Sequence, residues 1–167
     1  MRKPLAIAIV VSLAFGVAGA AATSAQGALD PVAWTLAVQP AGATATPGGT
    51  ITLALTATIE EGWHLYATKL EPGGPVATSI TIPGDQVFSA AGEIIEPLPS
   101  SSFDGNFNKV LEYHEGKAVF AIPVKSAASA SVGTHSVKVS ASYQTCNDRL
   151  CLPARSISIS TDVQVAK

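Results

Sequence analysis

At 167 residues, 47% of them hydrophobic and with a formal net charge of −2, the chain has room for one ordinary domain with a real core. It has no basic run and no clustering of Arg with aromatics, which counts against nucleic acid as a partner.

Met1-Arg2-Lys3 is a short basic start, and Leu5 to Val17 is an apolar run broken only by Ser12 and Gly16. Small residues follow, and both Ala20-Ala21-Ala22 and Thr23-Ser24-Ala25 suit a signal peptidase. That order of charge, apolar run and small residues is the pattern of a secretory signal peptide. It predicts a leader over residues 1–25, cut after 22 or 25, and a mature domain over 26–167. The alternative is an uncleaved anchor, since Leu5 to Ala22 is just long enough to span a membrane, but this stretch is rich in Ala and Gly. Nothing after Ala25 is long and apolar enough to insert. Arg2 and Lys3 belong to the leader, so the mature chain carries 8 basic against 12 acidic residues, a net −4. Export also gives weight to the two cysteines, because thiols outside the cytoplasm meet oxidising conditions and an even count suggests that they pair.

The mature region reads as strands and turns. Trp34 to Val38 is an apolar segment, taken as an edge strand, and Pro47-Gly48-Gly49 turns the chain. Thr50 to Ile59 alternates cleanly: Ile51, Leu53, Leu55, Ala57 and Ile59 share one face, while threonines occupy most of the other. This period of two predicts a half-buried strand. Glu60-Glu61-Gly62 is the next turn, and Trp63 to Ala67 opens another strand. Pro72-Gly73-Gly74-Pro75 is a hard break, Thr78 to Ile82 a short strand, and Pro83-Gly84-Asp85 a further turn. Residues 97–107, with two prolines and a run of serines, read as a long polar loop. Lys117 to Val124 buries Ala118, Phe120, Ile122 and Val124 on one face, and a small-residue loop spans Ser126 to Gly133. The last two strands are the plainest, with Val137, Val139, Ala141 and Tyr143 on one and Ile157, Ile159, Val163 and Val165 on the other. Many short strands with Gly and Pro turns predict an all-β fold, and one apolar face per strand favours two packed antiparallel sheets.

The usual catalytic signatures are absent: no Gly-x-Ser-x-Gly elbow, no phosphate-binding Gly loop and no paired-histidine zinc motif. His64, His114 and His135 are far apart in sequence and read as ordinary strand or loop residues. Two cysteines are too few ligands for a closed zinc site. No metal and no cofactor is therefore expected. What remains is Cys146-Asn147-Asp148-Arg149-Leu150-Cys151, across the tip of a predicted hairpin. The ends of such a loop can come within disulfide reach. A plain staple is one reading. Closing six residues, however, constrains the unfolded chain by only about 2 kcal/mol in the chain-entropy model, and a domain of this size does not need a staple. A pair that opens and closes is the other reading, and the spacing alone leaves both open.

Tyr143-Gln144-Thr145-Cys146-Asn147-Asp148, followed by Cys151-Leu152-Pro153, resembles the active-site loop of the N-terminal periplasmic domain of the DsbD thiol:disulfide interchange proteins. Gly62-Trp63-His64-Leu65-Tyr66 resembles the family's aromatic segment, and Gly73-Gly74-Pro75 is like that of its stand-alone members. Ser102-Phe103-Asp104-Gly105 falls where the family has its cap loop. The resemblance covers nearly all of the mature chain. It implies an immunoglobulin-like antiparallel β-sandwich in the periplasm that passes electrons through Cys146 and Cys151 to thioredoxin-like acceptors, disulfide isomerases and cytochrome c maturation factors among them. It implies Cys151 as the partner-facing sulfur and Cys146 as the resolving one, with His64, Tyr66, Tyr143 and Asp148 around them. Phe103 would be a lid over the sulfurs and Gly105 its source of backbone freedom; a core anchor is the alternative for Phe103. The sequence departs from the family in lacking the membrane conduit and the thioredoxin-like domain, so a separate membrane donor is expected. It also has one residue fewer between the cysteines. The competing reading is a non-catalytic binding module with a structural disulfide, docking a partner such as a metal chaperone.

Overall fold

The computed structural model describes residues 30–167, and the expected leader and its cleavage sites lie outside the described residues. No helix occurs among the described residues, and every strand pair is antiparallel.

The first sheet is built on the strand with the cleanest alternation. Strand β2 (Thr50–Ile59) lies between β1 (Val32–Gln39) and β8 (Lys117–Ser126), and β5 (Phe88–Ala90) closes the far side of β8. In the second sheet, β9 (Gly133–Tyr143) lies between β11 (Arg155–Val165) and β4 (Ser79–Thr81). The orders β1-β2-β8-β5 and β4-β9-β11 reproduce the four-plus-three arrangement of a constant-type immunoglobulin domain, taken in chain order. The fold is an immunoglobulin-like antiparallel β-sandwich.

Alternation positions the core. Leu53, Leu55 and Ala57 of β2, Phe120 and Ile122 of β8, and Val137, Val139 and Tyr143 of β9 belong to one buried cluster between the two sheets. Leu53, Leu55 and Phe120 are fully buried. Each such side chain contributes about 1.5–3 kcal/mol through removal from water. The opposite face of β9 and β11 is serine-rich and faces solvent, as the alternation predicts.

Two features differ from the sequence reading. A third sheet exists, in the order β10-β3-β7-β6, made of β3 (His64–Tyr66), β6 (Ser100–Asp104), β7 (Lys109–His114) and β10 (Thr145–Cys146). And the stretch expected to be one long polar loop is in part the β6–β7 hairpin. Strand β6 carries no alternation because its first four residues are exposed on both faces. In β7, His114 is buried as well as Leu111, which breaks the period of two.

Topology explains where this sheet sits. Strands β2 and β5 are both antiparallel to β8, so they run the same way and end at the same end of the sandwich. β9 turns back from the far end of β8 and ends there too. The connections after β2, β5 and β9 therefore meet, and they supply β3, the β6–β7 hairpin and β10. Glu96 fixes the approach to β6: its carboxylate accepts the Thr68 N–H at 2.8 Å, and His114 Nε2 lies 2.8 Å from it.

Candidate functional site

Cys146 and Cys151 are joined as a disulfide, with their Cα atoms 4.0 Å apart. They lie in the connection between β9 and β11, the two longest strands of the second sheet. The loop is a miniature hairpin. Leu152 N–H donates to the Thr145 carbonyl at 2.9 Å, and Asn147 N–H donates to the Leu150 carbonyl at 2.9 Å. The Asn147 side chain accepts the N–H groups of Arg149 and Leu150, each at 2.9 Å, which explains an Asn at the start of this turn. Gln144 ties the loop down on both sides, accepting the Val76 N–H at 2.8 Å and donating to the Leu152 carbonyl at 3.0 Å.

The two sulfurs differ in access. Cys146 is fully buried, whereas Cys151 is partly exposed. Cys146 pairs with His64 across β10 and β3, and it packs in a small second cluster with Tyr66 and Leu111, flanked by Leu70, Phe107, Tyr113 and Cys151. The turn before β3 places these residues: Trp63 N–H donates to the Glu60 carbonyl at 3.1 Å, and Gly62 supplies the left-handed position at φ 80°.

A polar network covers the buried sulfur. The Tyr66 hydroxyl donates to Asp104 Oδ2 at 2.5 Å, and His64 Nε2 lies 3.2 Å from the Tyr66 hydroxyl and 3.5 Å from Asp104 Oδ2. Burial pushes the Asp104 carboxyl up, but the Tyr66 hydroxyl, the N–H groups of Asn106 and Phe107 and the neighbouring His64 together hold it below the usual carboxylate range. Burial lowers His64, with Asp104 working against it. Burial and then the Asp104 carboxylate raise Tyr66. Tyr143 is pushed up to about 12, chiefly by burial and then by its 2.7 Å hydrogen bond to Asp30; it lies at the foot of the cysteine hairpin, paired with Arg155.

The tip of the β6–β7 hairpin lies over this network. Asp104 Oδ1 accepts the Asn106 N–H at 2.8 Å, which starts the turn, and Asn106 Nδ2 donates to the Asn147 carbonyl at 3.0 Å, which links the tip to the cysteine loop. Beside it is a cleft of about 220 Å³ whose lining includes His64, Phe103, Asp104, Gly105, Asn147 and Asp148.

Of the residues singled out in the sequence, Cys146, Cys151, His64 and Tyr66 come together, Asp148 lies on the exposed cysteine loop, and Tyr143 lies in the sandwich core below it. Phe103 is 64% exposed, so it is not a core anchor, and it pairs outward with exposed Val110 at the rim of the cleft. The aromatic packed against the cysteine cluster is Phe107, its ring edge-on to Tyr66 at 6.0 Å. The left-handed residue of the turn is Asn108, at φ 53°, and not Gly105. The local signal for a turn here is the cluster Asp104-Gly105-Asn106, whose residue types favour turns, although no alternating strand flanks it on the β6 side. Among the described residues no group of three His, Cys, Asp or Glu side chains is placed to hold a metal ion. No helix among them is long and apolar enough to cross a membrane.

The immunoglobulin-like sandwich carries a short-range cysteine pair on one end loop, with one sulfur buried and the other reachable. The family described as "Thiol:disulfide interchange protein DsbD, N-terminal" matches residues 33–162, and the chain belongs to it. Among solved structures, the chain is similar to the reduced N-terminal domain of DsbD from Neisseria meningitidis, at 17% identity over 80% of this chain and 85% of that one, with a TM-score of 0.49. It is also similar to the N-terminal periplasmic domain of ScsB from Proteus mirabilis, at 19% identity and a TM-score of 0.49, over 78% of this chain but only 44% of that one. No curated protein compared with the chain matches it.

Proposed function

We propose that this domain is a periplasmic electron-transfer module that accepts electrons from a separate membrane donor and passes them through Cys146 and Cys151 to thioredoxin-like acceptors, such as disulfide isomerases or cytochrome c maturation factors. The observation that carries this reading is the unequal access of the two sulfurs on one short loop. In the reduced module, the Cys151 thiolate attacks an acceptor disulfide and forms a mixed disulfide, expelling one acceptor thiolate. Cys146 then attacks the Cys151 sulfur. The Cys146–Cys151 bond forms, the mixed disulfide breaks, and the acceptor leaves as a dithiol. Recharging by a donor dithiol reverses these steps.

The surroundings suit such a module. In this reading Phe107, which packs against the cysteine cluster, caps the sulfurs, and the exposed Phe103 on the rim meets a docking partner. His64 and Asp148 line the approach, Tyr66 lies buried beside Cys146, and Tyr143 holds the base of the loop. Export by a cleaved leader over residues 1–25 would deliver the domain to the periplasm. Thiol trapping of the exported protein in cells, with and without the candidate membrane reductase, tests the reading. The pair should be found reduced with the reductase and oxidised without it. An oxidised pair in both strains would contradict the proposal.

A further inference from the structure

Closing the pair demands more of Cys146 than of Cys151. Attack requires a thiolate, and the Cys146 side chain is fully buried, an environment that disfavours the charged sulfur. Its proton needs a nearby acceptor. The titratable groups facing this region come from four elements: His64 and Tyr66 on β3, Asp104 at the end of β6, Tyr113 on β7 with Glu115 just beyond it, and Asp148 on the cysteine loop.

Most of them are poorly suited. Asp104 already accepts hydrogen bonds from the Tyr66 hydroxyl and the Asn106 N–H, which makes it a weak base. Tyr66 spends its one proton on Asp104, and Tyr113 hydrogen-bonds with Ser102. Glu115 and Asp148 are exposed to water. His64 is different. It lies directly opposite Cys146 in the antiparallel pair, a position that sets the two Cβ atoms about 4.5–5.5 Å apart. Because the Tyr66 hydroxyl donates to Asp104, its oxygen can only accept from His64 Nε2, 3.2 Å away. His64 therefore carries its proton on Nε2, and Nδ1 has the lone pair to offer.

We infer that His64 is the base that takes the proton from Cys146 when the pair closes on a mixed disulfide, with the Asp104 carboxylate 3.5 Å away stabilising the imidazolium as it forms. The inference rests on the exchange reading above. The Cys146 proton passes to the imidazole, the electron pair left on sulfur forms the bond to the Cys151 sulfur, and the departing partner thiolate carries away the pair from the broken bond. The imidazolium then returns its proton to solvent or to that thiolate. Burial keeps the imidazole neutral and ready to accept near neutral pH.

Stopped-flow oxidation of the reduced protein by 4,4′-dithiodipyridine separates the steps. The first thiopyridone reports attack by Cys151, and the second reports closure by Cys146. In the wild type, the second rate should rise through one inflection below about pH 6.5 and then stay level to about pH 8. A rate that climbs steadily towards the ordinary thiol value near about 8.5 would overturn the inference without any variant. In His64→Gln, the second release should slow about 100-fold at neutral pH, the first should change by no more than about twofold, and added imidazole should restore part of the second. Equal second rates in folded His64→Gln and wild type would overturn the role of His64 while leaving the exchange reading intact. A wild type that releases one thiopyridone and never a second would overturn both.

Discussion

Asp104, at the end of β6, accepts a hydrogen bond from the Tyr66 hydroxyl, on β3, at 2.5 Å across 38 residues of sequence. This bond fastens the β6–β7 hairpin over the buried cysteine, and with His64 it makes the site sensitive to acid. His64 has a folded value below its ordinary one, so as pH falls below about 6.5 the unfolded chain takes up the proton more readily and stability drops. Asp104 also has a lowered value, so its contribution is complete above about pH 4 and is lost as pH falls through its folded value. The urea midpoint should therefore decline in two stages between pH 7 and pH 3. His64→Gln should remove the upper stage, and Asp104→Asn the lower. A midpoint flat across this range would count against the network.

The cysteines should be functionally unequal. Cys146→Ser leaves the partly exposed Cys151 able to attack but unable to be resolved, so mixed disulfides with thioredoxin-like proteins should accumulate on non-reducing gels of cell extracts. Cys151→Ser, which keeps only the fully buried sulfur, should accumulate few. The opposite pattern would reverse the assignment of attacking and resolving sulfur.

Capping should reside in Phe107. Phe107→Ala should speed reduction of the disulfide by a small thiol and cost about 1–2 kcal/mol, less than a fully buried Phe because the ring is only half-buried. Phe103→Ala should leave stability within about 0.5 kcal/mol, since its ring is 64% exposed. Reduction rates and urea midpoints of the two variants, measured together, decide the point. Faster reduction in Phe103→Ala alone would return the lid to Phe103.

Alternation made the sandwich legible. β2, β8, β9 and β11 each bury one face against the other sheet, and Leu55 or Val139 could be placed from the period of two alone. The cysteine loop was legible because its spacing and flanking residues are local. The cap was not. Strand β6 has both faces in water for most of its length, so nothing in Ser100-Ser101-Ser102 alternates. Phe103 and Phe107 are both lone aromatics in a polar stretch, and only the register Phe103↔Val110 separates the outward ring from the inward one. The pairing of His64 with Cys146 joins residues 82 positions apart, a relation set by the third sheet and invisible to local pattern.

The equilibrium reduction potential of the Cys146–Cys151 pair tests the central claim most directly. Equilibrated in glutathione or dithiothreitol buffers and read by thiol trapping, the pair should titrate reversibly within the range of exchange proteins, about −180 to −270 mV. A potential below about −300 mV, with resistance to the glutathione pool, is the behaviour of a structural disulfide and would contradict the account.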